Sequence, residues 1–228
     1  MIGNYPTDVQ KLRELSTEET QLWIKRDDLT HPVYGGNKVR KLEELLEDAR
    51  RKGARRLVTI GAVGSHHVLS TVVHGAQAGF RVAGILTPQP WSQEAQEDLE
   101  AGLANGLEAW AASSIASVPW VVARTLRKGD YFIPPGGSNV LGAMGYARAV
   151  KELAKQVKQG QAPEPEVIVA ALGSGGTVAG LIEGLEEVGL SSKVLAVRVV
   201  PSPLVTRAST LALAWALAKK RKTRTSIS

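Results

Sequence analysis

Several residue types and patterns are missing from this chain of 228 residues. It has no cysteine, which excludes disulfide bonds and thiolate chemistry. Its four histidines are scattered, so they do not predict a zinc site. No apolar run is long enough to span a membrane, and the N-terminus lacks the basic-then-apolar pattern of a secretion signal. These absences predict a cytoplasmic protein with no resident metal and no membrane partner.

Positive charge is concentrated at the end of the chain. The formal net charge is +6, and no acidic residue follows Glu187. Eight lysines and arginines lie beyond that position, which leaves −2 for residues 1–187. A nucleic acid would have to bind the basic run 219–224 alone, where no aromatic residue accompanies the charges. We therefore expect no nucleic-acid partner.

Short apolar runs alternate with segments of helical periodicity over most of the chain. The runs are continuously apolar, which is typical of parallel strands covered on both faces. The pattern predicts an α/β fold, with residues 1–21 irregular. The predicted strands are 22–26, 56–61, 81–86, 108–113, 131–133, 167–172 and 194–200. The predicted helices are 38–52, 68–79, 92–106, 118–126, 140–158 and 178–189.

A glycine pair followed by a lysine opens the first predicted helix. Gly35 and Gly36 permit a tight turn and a close approach to a ligand, and Asn37 can cap the helix. Lys38 then falls in the first helical turn, where the helix dipole disfavours a cation. Two interpretations remain open from these residues alone. Either Lys38 loses its proton and acts as a nucleophile, or the segment is a turn before a charged, solvated helix.

A second glycine loop, residues 173–177, joins a predicted buried strand to a helix. Such a loop offers backbone N–H groups and the positive end of a helix to a phosphate. It matches neither the P-loop nor the full dinucleotide-binding pattern. The alternative is a simple strand–helix turn, but four small residues and a threonine at this place favour a phosphate site.

Two segments carry a resemblance to a known family. The sequence KRDDLT at 25–30, followed by GGNKVRKLE at 35–43, resembles the start of the 1-aminocyclopropane-1-carboxylate deaminase and D-cysteine desulfhydrase family. That family consists of pyridoxal-phosphate enzymes with the tryptophan synthase β-like fold. The resemblance implies that Lys38 carries pyridoxal 5'-phosphate as a Schiff base and that Lys41 helps to hold its phosphate.

The resemblance also extends to the second glycine loop, and implies that this loop grips the cofactor phosphate. The residues concerned are Gly173, Ser174, Gly175, Gly176 and Thr177. The two motifs are independent of each other because they lie far apart in the sequence.

Ser65 follows a predicted strand and begins a helix, as an ordinary capping serine would. The resemblance implies that it meets the substrate carboxylate or takes part in proton transfer. The family has asparagine after this serine, where it contacts the ring hydroxyl of the cofactor. Here His66 takes that place and can donate the same hydrogen bond, although it is bulkier and titratable. This departure affects the expected substrate more than the expected cofactor.

The resemblance predicts two domains. It assigns residues 52–138 to a small domain and residues 1–51 with 139–206 to a large domain. It runs from about residue 22 to residue 203, while the family continues for roughly another hundred residues, so we expect the large domain to be incomplete. The remaining 207–228 form a basic tail with an apolar helical stretch and a bare basic run. This tail is either a helix that binds a partner or a membrane surface, or the unevolved end of a truncated or frame-shifted gene, which we favour.

The implied function is that of a pyridoxal-phosphate-dependent lyase or deaminase acting on a small amino acid, as a homodimer. Lys38 would move protons at carbon and Ser65 would hold the carboxylate. The expected reaction is β-elimination from D-cysteine to pyruvate, ammonia and sulfide, or the ring-opening deamination of 1-aminocyclopropane-1-carboxylate. Two alternatives are a catalytically impaired remnant that binds only the cofactor or phosphate, and a protein that binds its partner through the basic tail.

Overall fold

The computed structural model describes residues 1–200 and 205–225, with side chains described as far as Arg221. The helices are α1 (Asn37–Arg51), α2 (His66–Gln77), α3 (Gln93–Ala104), α4 (Val118–Thr125), α5 (Val140–Lys158), α6 (Gly176–Val188) and α7 (Arg207–Thr225). The strands are β1 (Val9–Lys11), β2 (Trp23–Lys25), β3 (Arg56–Ala62), β4 (Arg81–Thr87), β5 (Leu107–Ala111), β6 (Tyr131–Ile133), β7 (Val167–Leu172) and β8 (Lys193–Arg198). The α/β alternation predicted from the sequence is confirmed.

The larger sheet has four parallel strands in the order β5–β4–β3–β6. Helices α1 and α2 cover one face, where Leu42 and Val72 pack on Leu57 of β3. Helix α4 covers the other face, against Val58 and Ile85. Because both faces are covered, the strands are continuously apolar, as the sequence pattern predicts.

The second parallel pair, β7–β8, packs one face on α5 and α6. This contact uses Ile168, Ala170 and Val194, which are the alternate residues of the two strands. Strand β1 lies in the stretch predicted to be irregular, and pairs antiparallel with β2. A strand of three residues carries too little periodicity to be recognised, and its hydrogen bonds come from β2.

Helix α7 extends from the apolar stretch of the tail into its basic run. Ala214 and Leu217 are buried against α5 and α6. Arg221 forms ion pairs with Glu183, at 3.0 Å, and with Glu187. The side chains of residues 222–228 lie outside those that the structure describes. In the described part of the chain no helix combines the length and apolar character needed to cross a membrane.

Candidate active site

Helix α1 begins directly after a glycine turn and carries both predicted site lysines. Gly36 has φ of +114°, a conformation that favours glycine. Lys38 and Lys41 lie about one helical turn apart at the start of α1. The Lys38 Nζ donates to Asn37 Oδ1 at 3.0 Å, and burial lowers the pKa of this lysine. A lowered pKa increases the fraction of neutral, nucleophilic amine at neutral pH.

Lys41 is a buried amine without an ion-pair partner in the part of the chain that the structure describes. Its side chain is nearly inaccessible, and its Nζ donates to Gly136 O at 3.0 Å and to Ser138 Oγ at 3.2 Å. Burial and the charge of Lys38 lower the pKa of Lys41 to about 7. Among the residues that the structure describes, no carboxylate forms an ion pair with it. Burying an uncompensated charge is unfavourable, so this lysine suits a site that receives an anion.

The second glycine loop meets Lys41 at the N-terminus of α6. Ser138 Oγ accepts a hydrogen bond from the Gly176 N–H at 3.1 Å and lies 2.7 Å from Ser174 Oγ. A Cβ at Gly176 would lie 2.6 Å from Ser138 Oγ and 3.0 Å from Lys41 Nζ, so only glycine leaves this space open. A helix N-terminus, a buried lysine and a hydroxyl group together fit the phosphate of pyridoxal 5'-phosphate.

The remaining residues of the loop surround this contact. Gly175 has φ of +84° and lies beside Thr210 of α7. Gly173 lies next to Val199 and Val200. Thr177 lines a cavity of about 240 Å³, together with Lys25 and Asn37.

Ser65 caps α2, since its Oγ accepts from the Val68 N–H at 3.4 Å. The His66 side chain is 77% exposed. Its Nδ1 lies 2.8 Å from Tyr34 Oη and its Nε2 lies 3.7 Å from Asp98 Oδ2. The polar contacts of His66 are thus with Tyr34 and Asp98 rather than with the two lysines.

His67, the residue after His66, lies on the inner side of α2. It is buried, and its Nε2 lies 2.9 Å from Thr59 Oγ1. Burial, followed by the charges of Lys38 and Lys41, lowers its pKa to about 3. A Cβ at Gly137 would lie 3.6 Å from both His67 Cε1 and Lys41 Cβ, so both side chains border Gly137. A neutral ring therefore borders the site, and the sequence carries no signal that separates it from His66.

Ser138 and Asn139 both precede α5, and either residue type can cap a helix. The cap of α5 is Asn139, whose Oδ1 accepts from the Gly142 N–H at 2.9 Å. Ser138 is free to connect Lys41 with Gly176. These residues are far apart in the sequence, so only the tertiary structure identifies the contact.

Buried charges fix the position of α1. Arg40 pairs with Asp27 at 2.8 Å and with Glu152 of α5 at 3.1 Å. The same Asp27 accepts from Tyr146 Oη at 2.7 Å. This network lies within one turn of both lysines and ties their helix to the preceding loop and to α5.

The described residues hold no group of three or more His, Asp or Glu side chains arranged to bind a metal.

A family model described as pyridoxal-phosphate-dependent enzyme matches residues 1–226. This match corrects the expectation that the resemblance ends near residue 203. The chain is 38% identical over 197 residues to a D-cysteine desulfhydrase of Serratia proteamaculans, covering 79% of this chain and 58% of the relative. It is 36% identical over 189 residues to a putative 1-aminocyclopropane-1-carboxylate deaminase of Pyrococcus abyssi, covering 79% and 56%.

Solved structures show the same fold. The crystal structure of an ACC deaminase homologue matches with a TM-score of 0.85 and 32% identity, covering 96% of this chain and 68% of that one. A fungal L-serine ammonia-lyase from Rhizomucor miehei shares the fold, with a TM-score of 0.70 at 20% identity. The chain spans between half and two thirds of the length of the two curated relatives named above.

Proposed function

The chain belongs to the family of pyridoxal-phosphate-dependent enzymes, and on this premise we propose that it is a lyase or deaminase acting on a small amino acid. The substrate that we propose is D-cysteine, which would yield pyruvate, ammonia and sulfide. Deamination of 1-aminocyclopropane-1-carboxylate is the close alternative. The names of the relatives support both reactions.

The observation that carries this proposal is the uncompensated charge of Lys41 at the N-terminus of α6. Lys41, Ser138 and the Gly176 N–H would hold the cofactor phosphate, together with the rest of the loop 173–177. Lys38, one turn earlier on α1, would bond to the cofactor through its amine. The cofactor, when bound, supplies a ring that accepts negative charge from the substrate carbon.

Two residues of this chain would act on the substrate. The substrate amine would displace Lys38 from the cofactor, and the freed Lys38 amine would take the proton from the α-carbon. The Cβ–S bond would then break, with the sulfur leaving as hydrosulfide. Water then completes the release of pyruvate and ammonia. Ser65, with the N-terminal end of α2, holds the substrate carboxylate. His67 keeps a neutral ring beside the lysines and so adds no further positive charge there.

A second candidate is a remnant that binds the cofactor or phosphate without turnover. The exposed apolar face of β7–β8 favours it, since Val169 is 63% exposed there. Binding through the basic tail is less well supported, because Arg221 already pairs with two glutamates.

The division into a small domain, 52–138, and a large domain, 1–51 with 139–206, is part of the same proposal.

A homodimer in the cytoplasm is proposed as well, from the family resemblance and the absence of cysteine. Sedimentation equilibrium measures the assembly directly.

The test is the visible absorbance of the purified protein after incubation with pyridoxal 5'-phosphate. We expect a new band for the wild-type chain and for Lys52→Ala, an exposed lysine just beyond the end of the same helix. Lys38→Ala should give no band. Sulfide release from D-cysteine would support the lyase, whereas a band without any product would support the remnant. Equal bands for Lys38→Ala and the wild type would contradict the role of Lys38.

A further inference from the structure

Helix α2 holds Tyr34 at both its main chain and its side chain. The Tyr34 carbonyl oxygen accepts from His74 Nε2 at 2.9 Å, and Tyr34 Oη lies 2.8 Å from His66 Nδ1. The Tyr34 and His66 rings also stack, with centroids 6.4 Å apart and an angle of 26° between their planes. The two histidines are about two turns apart on α2, so Tyr34 lies along the helix rather than touching it at one point.

The side chains that hold Tyr34 are themselves held in place. His66 Nε2 faces the carboxylate of Asp98, on α3, at 3.7 Å. A carboxylate on this side favours the tautomer with the proton on Nε2, which leaves Nδ1 to accept from Tyr34 Oη. His74 is fully buried, and the ring of His31 packs edge-on against it with centroids 4.7 Å apart. Tyr34 is therefore fixed by groups that other parts of the structure keep in position.

These contacts join the two helix starts that the proposed reaction brings together. Tyr34 lies in the loop before α1, four residues before Lys38, and His66 follows Ser65 at the start of α2. Among the described residues, only the two hydrogen bonds of Tyr34 join α2 to residues 31–51. The helices α1 and α2 themselves pack through apolar side chains. Apolar packing is non-directional, whereas a hydrogen bond fixes both distance and angle.

We propose that Tyr34 and His66 are positioning residues, which hold the amine of Lys38 at a fixed distance from the substrate carboxylate on Ser65. The inference rests on the roles proposed above for Lys38 and Ser65. Tyr34 and His66 act through the starts of α1 and α2 and exchange no proton with the substrate. A displacement of about 1 Å between reacting groups can lower a rate roughly a hundredfold, so such a contact matters for turnover.

Tyr34→Phe tests this assignment, because it removes the hydroxyl group and keeps the ring. In the protein without cofactor, the amide hydrogens of residues 33–37 should exchange about fivefold faster, as the loss of one hydrogen bond implies. The cofactor absorbance band should still form, since Lys38 is unchanged. With substrate, kcat should fall about tenfold, while KM should change by less than about twofold because Ser65 still binds the carboxylate.

His66→Ala should act in the same direction, and the double variant should resemble His66→Ala, because both substitutions remove one contact. Asp98→Asn removes the charge opposite His66 Nε2 and should give a smaller change of the same kind. The matched control is Glu97→Gln, the neighbouring acidic residue of α3, whose side chain accepts from Gln93 instead. This control should match the wild type in amide exchange and in turnover.

Unchanged amide exchange in Tyr34→Phe would overturn the proposal, and so would single effects that multiply in the double variant. A higher KM with an unchanged kcat would overturn it as well, since the pair would then bind the substrate rather than position Lys38. A wild-type chain that forms the cofactor band but no product would instead contradict the proposed function. The amide exchange of the variants would still decide whether Tyr34 and His66 hold the two helix starts together.

Discussion

At the scale of one residue, Lys41 shows how a side chain that suits ligand binding can lower the free energy of unfolding. The side chain is buried beside Lys38, and its hydrogen bonds to Gly136 and Ser138 supply no negative charge. Its pKa of about 7 in the folded chain lies well below the value of roughly 10.4 for an exposed lysine. The unfolded chain therefore binds more protons between these pH values, so the free energy of unfolding rises with pH across this window.

We expect Lys41→Met to stabilise the protein without cofactor by roughly 2 to 4 kcal/mol at pH 7, because the desolvated amine is removed. The rise in stability between about pH 7 and pH 10 should become smaller. Phosphate and cofactor binding should be lost. Urea unfolding at several pH values and titration calorimetry with inorganic phosphate measure these effects.

Lys41→Arg is the control, since a guanidinium keeps its charge over this range. Phosphate binding that survives in Lys41→Met would contradict the assignment of this lysine to the phosphate site.

At the scale of an element, α7 shows how the basic tail, with its apolar helical stretch, packs on the rest of the fold. Ala214 and Leu217 are buried, and Arg221 reaches Glu183 of α6. Glu183 is almost fully buried, and burial raises the pKa of its carboxyl group. The arginine therefore compensates a charge that the interior disfavours.

Arg221→Ala should lower the free energy of unfolding by roughly 1 to 3 kcal/mol, because Glu183 would keep a buried charge without its arginine. Adding Glu183→Gln should recover part of this loss, since the charge is then removed. Denaturant unfolding of the single and double variants measures the coupling. Lys220→Ala, at an exposed position of the same helix, serves as the control and should change stability by less than about 0.5 kcal/mol. An equally large effect of the control would show that the loss comes from the helix rather than from the ion pair.

At the scale of the whole molecule, the charge distribution argues against a nucleic-acid partner. Residues 1–187 sum to −2, so the net positive charge of the chain comes from its end. Phosphate-backbone binding needs several clustered cations and weakens steeply with salt.

We therefore expect the wild-type chain to show no binding of duplex DNA by fluorescence anisotropy at about 150 mM salt. A variant with Lys219, Lys220 and Lys222 changed to glutamine should likewise show no DNA binding. It should also keep its cofactor absorbance band. Salt-sensitive binding by the wild type that this variant loses would establish the alternative of a basic-tail binding protein.

The sequence by itself determined the alternation of strands and helices, because short apolar runs and helical periodicity are local patterns. It also placed the two glycine loops at the starts of α1 and α6, since the backbone conformations at Gly36 and Gly175 favour glycine. The position of Lys38 in the first turn of α1 follows from that placement.

Only the tertiary structure decided which residues meet. His66 and His67 are neighbours with the same chemistry, but adjacent helical side chains point in different directions, and packing buries only the second. Lys41 contacts Gly136 and Ser138 across 95 and 97 positions of sequence, and such contacts depend on how separate elements pack. The same reason explains the pairing of β1 and the packing of α7. Their partners are separate elements, and local periodicity carries no information about them.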